Sequence, residues 1–503
     1  MPAFGELNCL ELLAILLLLL AISLFSDRFF DKIVAYAFLS WSICEIVIAV
    51  LQATGIIDPI NSFFLCTGSF NNSGPFSGFL AITVSVLVPY SLNCDNRSVK
   101  AVLLSVASIE VFLIFLLQSR ASVLALMICF LFFSLRQDKC RLWIKRHWPI
   151  LLVCSGLLVC LFYYIKKPSA DGRLFINRMS VSIMKSNGLK GLDGISYAGA
   201  YGVEQFNYFR GQMEQGQDVL NWTLLDEDER MIADCPEYAF NEFLWIGAEY
   251  GIIALLLFVG ILVISIYNSL IEDRPWLFGI ISFSVFAFFS YPLHTVQIQI
   301  VLCVLLVACL YRTEVKYRWI KTALVLLMTS VLFGYELFHD PQFNKTIRQD
   351  WKETDRWYML GEYEFAAEGC DTLLDYKKKD KDFLFKYGRS LHFIGDYLKS
   401  DSILELGTHI SSDPMFWNIM GNNSLALGKY REAEERYKHA FYMVPNRLYP
   451  LYLLAKLYHV EGDTIRFLDM SERVETFKSK VESANTERLR TEIRDMKAGY
   501  ISE

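Results

Sequence analysis

Long apolar blocks fill the first two-thirds of this chain and stop near Phe343, and no other feature limits its fold as strongly. A membrane-spanning helix needs about 17–25 mostly apolar residues. By that measure ten spans are predicted, near 9–25, 33–52, 75–92, 99–117, 121–136, 148–165, 243–268, 275–292, 295–311 and 319–338. Beyond Phe343 the sequence becomes charged and helix-rich, yet mean hydropathy over all 503 residues is still +0.32. The first part must therefore be strongly apolar, as in an integral membrane protein with a soluble tail. The fold class is all-α, with a polytopic transmembrane domain over 1–340 that carries a long outer loop at 166–236, and a helical domain over 341–503.

Charge and cysteine usage narrow the function. The net charge of −6 is modest and no basic block of the nucleic-acid-binding type occurs. Many of the 12 cysteines, such as Cys44, Cys129, Cys154, Cys160, Cys303 and Cys309, sit inside apolar runs as small hydrophobes. No Cys or His spacing suggests a zinc site, and nothing calls for a cofactor. Met1–Asn8 lacks positive charge and no small-residue cleavage site follows, so 9–25 reads as a retained span.

Orientation follows from the Lys/Arg bias of short loops. Alternate loops hold Arg28 and Lys32, Arg97 and Lys100, the cluster Arg136, Lys139, Arg141, Lys145 and Arg146, then Arg274, then Arg312, Lys316, Arg318 and Lys321. The intervening short segments carry only Arg120. This alternation places the N-terminus, the loop 166–236 and the tail on the outer side.

The tail repeats itself. GEY, GDY, GKY and GDT begin at Gly361, Gly395, Gly428 and Gly462, at spacings of 34, 33 and 34 residues. That is the tetratricopeptide period of about 34 residues. Leu427, Gly428, Tyr430, Ala433, Tyr437, Ala440 and Pro445 mark the best copy. An α-solenoid of this kind presents a concave surface that binds a peptide, protein partner or glycan, or else it braces the membrane domain.

Three polar constellations fall on the outer side. TGSFNNSGPFSGFLA, residues 67–81, is a turn-rich entry to a span. Gln118-Ser119-Arg120 joins two apolar helices with almost no loop; the arginine either snorkels to headgroups or binds an anion. The segment 171–197 carries an apolar stripe through Phe175, Met179 and Ile183, which suits the headgroup plane with Arg173, Arg178 and Lys185 as polar contacts. Arginine grips phosphate through its planar fork, so Arg120 and Arg173 together suit a lipid-linked diphosphate.

A fourth, EYAFNEFLWIGAEYG, runs directly into an apolar helix. Glu242 is placed either to satisfy the helix dipole or to act as a base. Glu249 lies seven residues on, about two turns and roughly 10 Å along a continuous helix. His294 sits in the next outer turn, and Gly251 allows close helix packing.

The order of these features resembles the O-antigen ligase/polymerase (Wzy-C) superfamily. The resemblance covers roughly 60–310 and rests on the 67–81 entry, Ser119-Arg120, Gly172-Arg173 and an N-E-x-L-x-x-x-x-E-x-G entry from Asn241 to Gly251. The family implies a bundle of the broad GT-C-like class in the bacterial inner membrane, with the tetratricopeptide tail as a periplasmic accessory domain. It also implies transfer of a glycan from undecaprenyl diphosphate to a lipid, glycan or protein hydroxyl at the periplasmic face, without a metal. Arg120 and Arg173, with Arg178 nearby, would hold the diphosphate. Ligases of the family carry a His-Asn pair where this chain has Phe240-Asn241, so the ligase histidine is absent. Glu242, Glu249 or His294 could replace it, or the diphosphate leaving group suffices. A polymerase of the same superfamily is the nearest alternative, and a non-catalytic scaffold for an envelope complex is the alternative from another class.

Overall fold

A computed structural model describes residues 27–213, 220, 222–310 and 345–501. The predicted spans 9–25 and 319–338, with the basic run 312–321, lie outside the described residues. The described chain is all-helical, with no strand among these residues. The first helices are α1 (Asp27–Ala53), α2 (Ser73–Leu92), α3 (Arg97–Leu116), α4 (Arg120–Arg136) and α5 (Asp138–Ile165). Next come α6 (Lys167–Asn187), α7 (Tyr197–Met213), α8 (Glu227–Ile232), α9 (Glu242–Glu249), α10 (Gly251–Ile271), α11 (Trp276–Phe289) and α12 (Val296–Leu310). The tail contains α13 (Lys345–Leu360), α14 (Tyr363–Lys377), α15 (Lys381–Phe393), α16 (Tyr397–Thr408), α17 (Met415–Ala426), α18 (Tyr430–Met443), α19 (Tyr449–Glu461), α20 (Thr464–Thr476) and α21 (Ala484–Ile501).

Two compact units form. The first takes Met1–Lys167, Phe240–Ile246 and Ile253–Phe343; the second takes Pro168–Ala239, Gly247–Ile252 and Asn344–Glu503. The segment 168–239 thus clusters with the tail.

In the first unit α2 is central and packs against α1, α3, α4, α11 and α12. Its small residues let aromatic rings in: a Cβ at Gly78 would lie 2.3 Å from the ring of Phe286. Phe76, Phe79, Trp276, Phe283 and Phe286 form the aromatic heart of this core. Among the described residues four helices are long and apolar enough to cross a membrane: Asp31–Ala53, Ser73–Leu92, Arg97–Leu116 and Gly251–Ile271. A fifth is added if the pair Arg120–Arg136 and Asp138–Leu151, bent by 113°, counts as one span. Phe112, Phe115, Phe130, Leu256 and Leu257 are more than half exposed on these helices, a pattern suited to lipid contact.

The helices depart from the predicted spans at three places. The basic stretch predicted as a loop at 136–146 is helical apart from a break at Gln137, since Lys, Arg and Leu are good helix formers. The span predicted over 243–268 is interrupted, because α9 stops at Glu249 and Gly251 takes a left-handed φ of 86°. Those predicted at 275–292 and 295–311 are shorter helices, α11 and α12, joined through a 3-10 turn at Pro292–His294.

In the second unit the stripe Phe175, Met179 and Ile183 is buried, with Phe175 stacked on Phe209 at 5.7 Å. It therefore packs against protein and not in the headgroup plane. From α13 to α21 each helix packs against the next, and α15, α17, α19 and α21 also touch their alternate neighbours. Gly361, Gly395, Gly428 and Gly462 all adopt left-handed φ between 70° and 86° at helix-to-helix turns. A side chain would strain each turn. Ala433, Tyr437 and Ala440 are fully buried, and a Cβ at Gly421 would lie 2.3 Å from the Tyr437 ring.

Candidate active site

Within the first unit the polar helix entry is built around Asn241. Its side-chain oxygen accepts from the backbone N–H of Phe243 at 3.1 Å and Leu244 at 3.2 Å, capping α9. Phe240 just before it has φ 52°, a left-handed conformation that costs a bulky side chain energy, and its ring meets Tyr291 edge-on at 5.3 Å. This turn sets Glu242 at the first position of α9, where the helix dipole favours negative charge.

Glu242 is 1% exposed. One carboxylate oxygen accepts from the backbone N–H of Leu293 at 2.6 Å, and the other lies 3.8 Å from Nε2 of His294. The His294 ring also stands edge-on to Trp245 at 4.3 Å. Two of the three sequence-predicted acid/base candidates are therefore brought together. A carboxylate beside an imidazole in a largely dry setting can accept and pass on a proton.

The same turn is tied to a second polar cluster. Gln297, three residues after His294, donates to the carbonyl of Ser69 at 3.1 Å. Ser69 in turn donates to Glu45 through its backbone N–H at 2.8 Å and its hydroxyl at 2.5 Å. Gln52 receives the backbone N–H groups of Thr67 and Gly68 at 2.8 and 2.9 Å. The 67–81 entry singled out in the sequence is thus gripped by two polar residues of α1. Glu45 and Gln52 were not singled out, although an acid inside an apolar span is itself a signal of function.

Ser119 precedes Arg120 at the start of α4 and contacts the hydroxyl of Ser122 at 2.9 Å. Ser122 donates to Ser77 on α2, also at 2.9 Å, so the Ser-Arg pair is anchored to the helix that follows the 67–72 turn. Gln118 before it shares the left-handed conformation of Phe240, with φ 52°. Non-glycine residues strained in this way concentrate at functional sites.

The remaining predicted residues belong to the second unit. The Glu249 carboxylate accepts from the backbone N–H of Tyr197, the first residue of α7, and its carbonyl accepts from Leu192 at 2.9 Å. Gly251 lies against backbone: a Cβ there would sit 2.3 Å from the carbonyl oxygen of Leu189 and 2.6 Å from the nitrogen of Gly191. The close approach is to the turn after α6 and not to another helix. Arg173 lies on α6. Arg178, one turn further along, pairs with Glu229 at 2.7 Å and donates to Tyr208 at 3.0 Å. Burial alone would lower its pKa, but Glu229 and Tyr208 together outweigh that and raise it. Among the described residues no group of three or more His, Cys, Asp or Glu is suited to a metal ion.

Compared with known proteins, the chain matches no family model and has no significant match to a curated protein.

Proposed function

We propose that the chain is a membrane glycosyltransferase of the O-antigen ligase type. It transfers a glycan from undecaprenyl diphosphate to an acceptor hydroxyl at the periplasmic face of the bacterial inner membrane. The observation that carries this reading is the buried pairing of Glu242 with His294 in the polar helix entry. The ten-span topology and the periplasmic tetratricopeptide tail belong to the same proposal, and rest on loop charge and on the glycine period.

In this mechanism the acceptor oxygen attacks the anomeric carbon of the donor sugar. A new C–O bond forms as the bond from that carbon to the diphosphate oxygen breaks. The acceptor proton goes to Glu242, and the neutral His294 imidazole beside it takes the proton on. The electron pair leaves on the diphosphate, and Arg120 offsets its growing charge. The resemblance also makes Arg173 a candidate for binding diphosphate. Glu249 is drawn into capping α7, so Glu242 is the better substitute for the missing ligase histidine.

Deleting the gene and examining surface glycan tests the reading. Accumulation of free lipid-linked polymer means ligase, and single lipid-linked repeat units mean the polymerase of the same superfamily. Normal surface glycan would sink both.

A further inference from the structure

We infer that the turn edge of the tail is a docking surface for this chain's own outer segment. Arg230 and Asn446 are its positioning residues, and through them the tail sets the helix that carries Arg173 and Arg178.

The edge comprises three turns, one per repeat period: 409–413, 444–447 and 477–480. Each one holds the outer segment by polar contacts. The carbonyl of His409 accepts from the backbone N–H of Ser196 at 2.9 Å, and Ser412 donates to the carbonyl of Pro236 at 3.3 Å. Asn446, 3% exposed, donates to the carbonyls of Arg230 and Ala233 at 2.9 and 2.8 Å. Lys480 pairs with Asp234 at 2.8 Å.

Arg230 is the centre of this contact. It is 5% exposed, and its guanidinium donates to the carbonyls of Pro445 at 3.2 Å and Lys478 at 3.1 Å. The face of Phe477 lies 4.9 Å from it. A buried cation is held in one place only where such partners meet it. These carbonyls lie in the turns just past α18 and α20, so the outer segment completes the tail as much as the tail holds the segment.

The short helix α8 carries this hold across to the arginines. Arg230 faces the tail, while its neighbour Glu229 binds Arg178 at 2.7 Å and accepts from Tyr208 at 2.6 Å. Phe175 packs on Phe209, and Ser180 and Tyr197 share a hydrogen bond at 2.7 Å, so α6 is fixed to α7 along its length. Loosening α8 from the turn edge therefore frees Arg178 and the α6 helix. The tail's first ligand is thus this chain's own outer segment, and its effect falls on the donor diphosphate and not on the choice of acceptor.

The donor part of this inference rests on the glycosyl-transfer reading, whereas the docking part does not. The test uses the full chain purified in lipid nanodiscs, with Arg230→Met, Arg230→Lys and the milder Asn446→Ala. Amide hydrogen exchange is followed over 171–185, 222–236 and 345–408. Exchange over 171–185 and 222–236 is expected to quicken about tenfold or more in Arg230→Met, less in Arg230→Lys, with 345–408 unchanged. The KM for polyprenyl-diphosphate-linked glycan is expected to rise about tenfold while the KM for acceptor holds, because the arginines loosened are those assigned to the diphosphate.

Unchanged exchange over 171–185 in both Arg230→Met and Asn446→Ala overturns the docking inference. Quickened exchange with an altered acceptor KM and an unmoved donor KM overturns the positioning role. Quickened exchange in a chain whose wild type performs no transfer upholds the docking and defeats the proposed function instead.

Discussion

Nε2 of His294 lies 3.8 Å from a carboxylate oxygen of Glu242, with both side chains 4% exposed or less. Two groups acting on one proton should not contribute independently. Glu242→Gln and His294→Ala are each expected to lower turnover by roughly 10²–10⁴-fold, the usual range for a general base. The double variant should be little worse than either single one. Steady-state rates on the purified chain decide this, and fully additive losses would separate the pair.

Glu249 should behave differently. Its carboxylate caps the start of α7, so Glu249→Ala is expected to cost about 1–3 kcal/mol of stability in the second unit. Turnover per folded molecule should be retained. Thermal unfolding measured alongside activity checks this; a lost rate with unchanged unfolding would return Glu249 to the chemistry.

Gln118 is exposed yet left-handed, so its side chain costs energy and has no core to fill. Gln118→Gly is expected to stabilise the chain by about 0.5–1 kcal/mol, the strain relieved being larger than the entropy glycine adds to the unfolded state. Chemical denaturation reads the difference. A loss of stability would mean the side chain is needed.

What could be read from the sequence depended on how local each cause is. The tail glycines were legible because each turn needs a left-handed residue at nearly the same interval. The apolar stripe at Phe175, Met179 and Ile183 was legible as a stripe, but its partner Phe209 belongs to another helix, so the face it covers could not be inferred. The break after Glu249 was hidden for the same reason. Hydropathy runs on unbroken there, and only the approach of Leu189 and Gly191 shows why Gly251 must stand aside. Glu242 and His294 were both visible as candidates. Their pairing needed the turn at Pro292–His294 to fold back onto α9.

His439 offers a test by pH. It is sandwiched between Phe206 at 3.9 Å and Trp417 at 3.7 Å, and burial, aided by Arg210, lowers its pKa from 6.5 to about 3. The native state keeps it neutral while the unfolded chain takes up a proton below about pH 6.5. Its contribution is therefore present above that pH and is lost as pH falls from about 6.5 towards 3, by at most about 1.4 kcal/mol per unit. Substituting His439→Gln should flatten this part of the stability profile. An unchanged slope in unfolding titrations would show that the stack does not hold the imidazole neutral.

The most direct measurement supplies polyprenyl-diphosphate-linked glycan and candidate acceptors to the purified chain and follows release of free polyprenyl diphosphate. Release coupled to a new glycosidic bond is expected in the wild type, and its loss in folded Arg120→Ala and Glu242→Gln. Wild-type rates in both variants, or no release by the wild type with any acceptor, would contradict it.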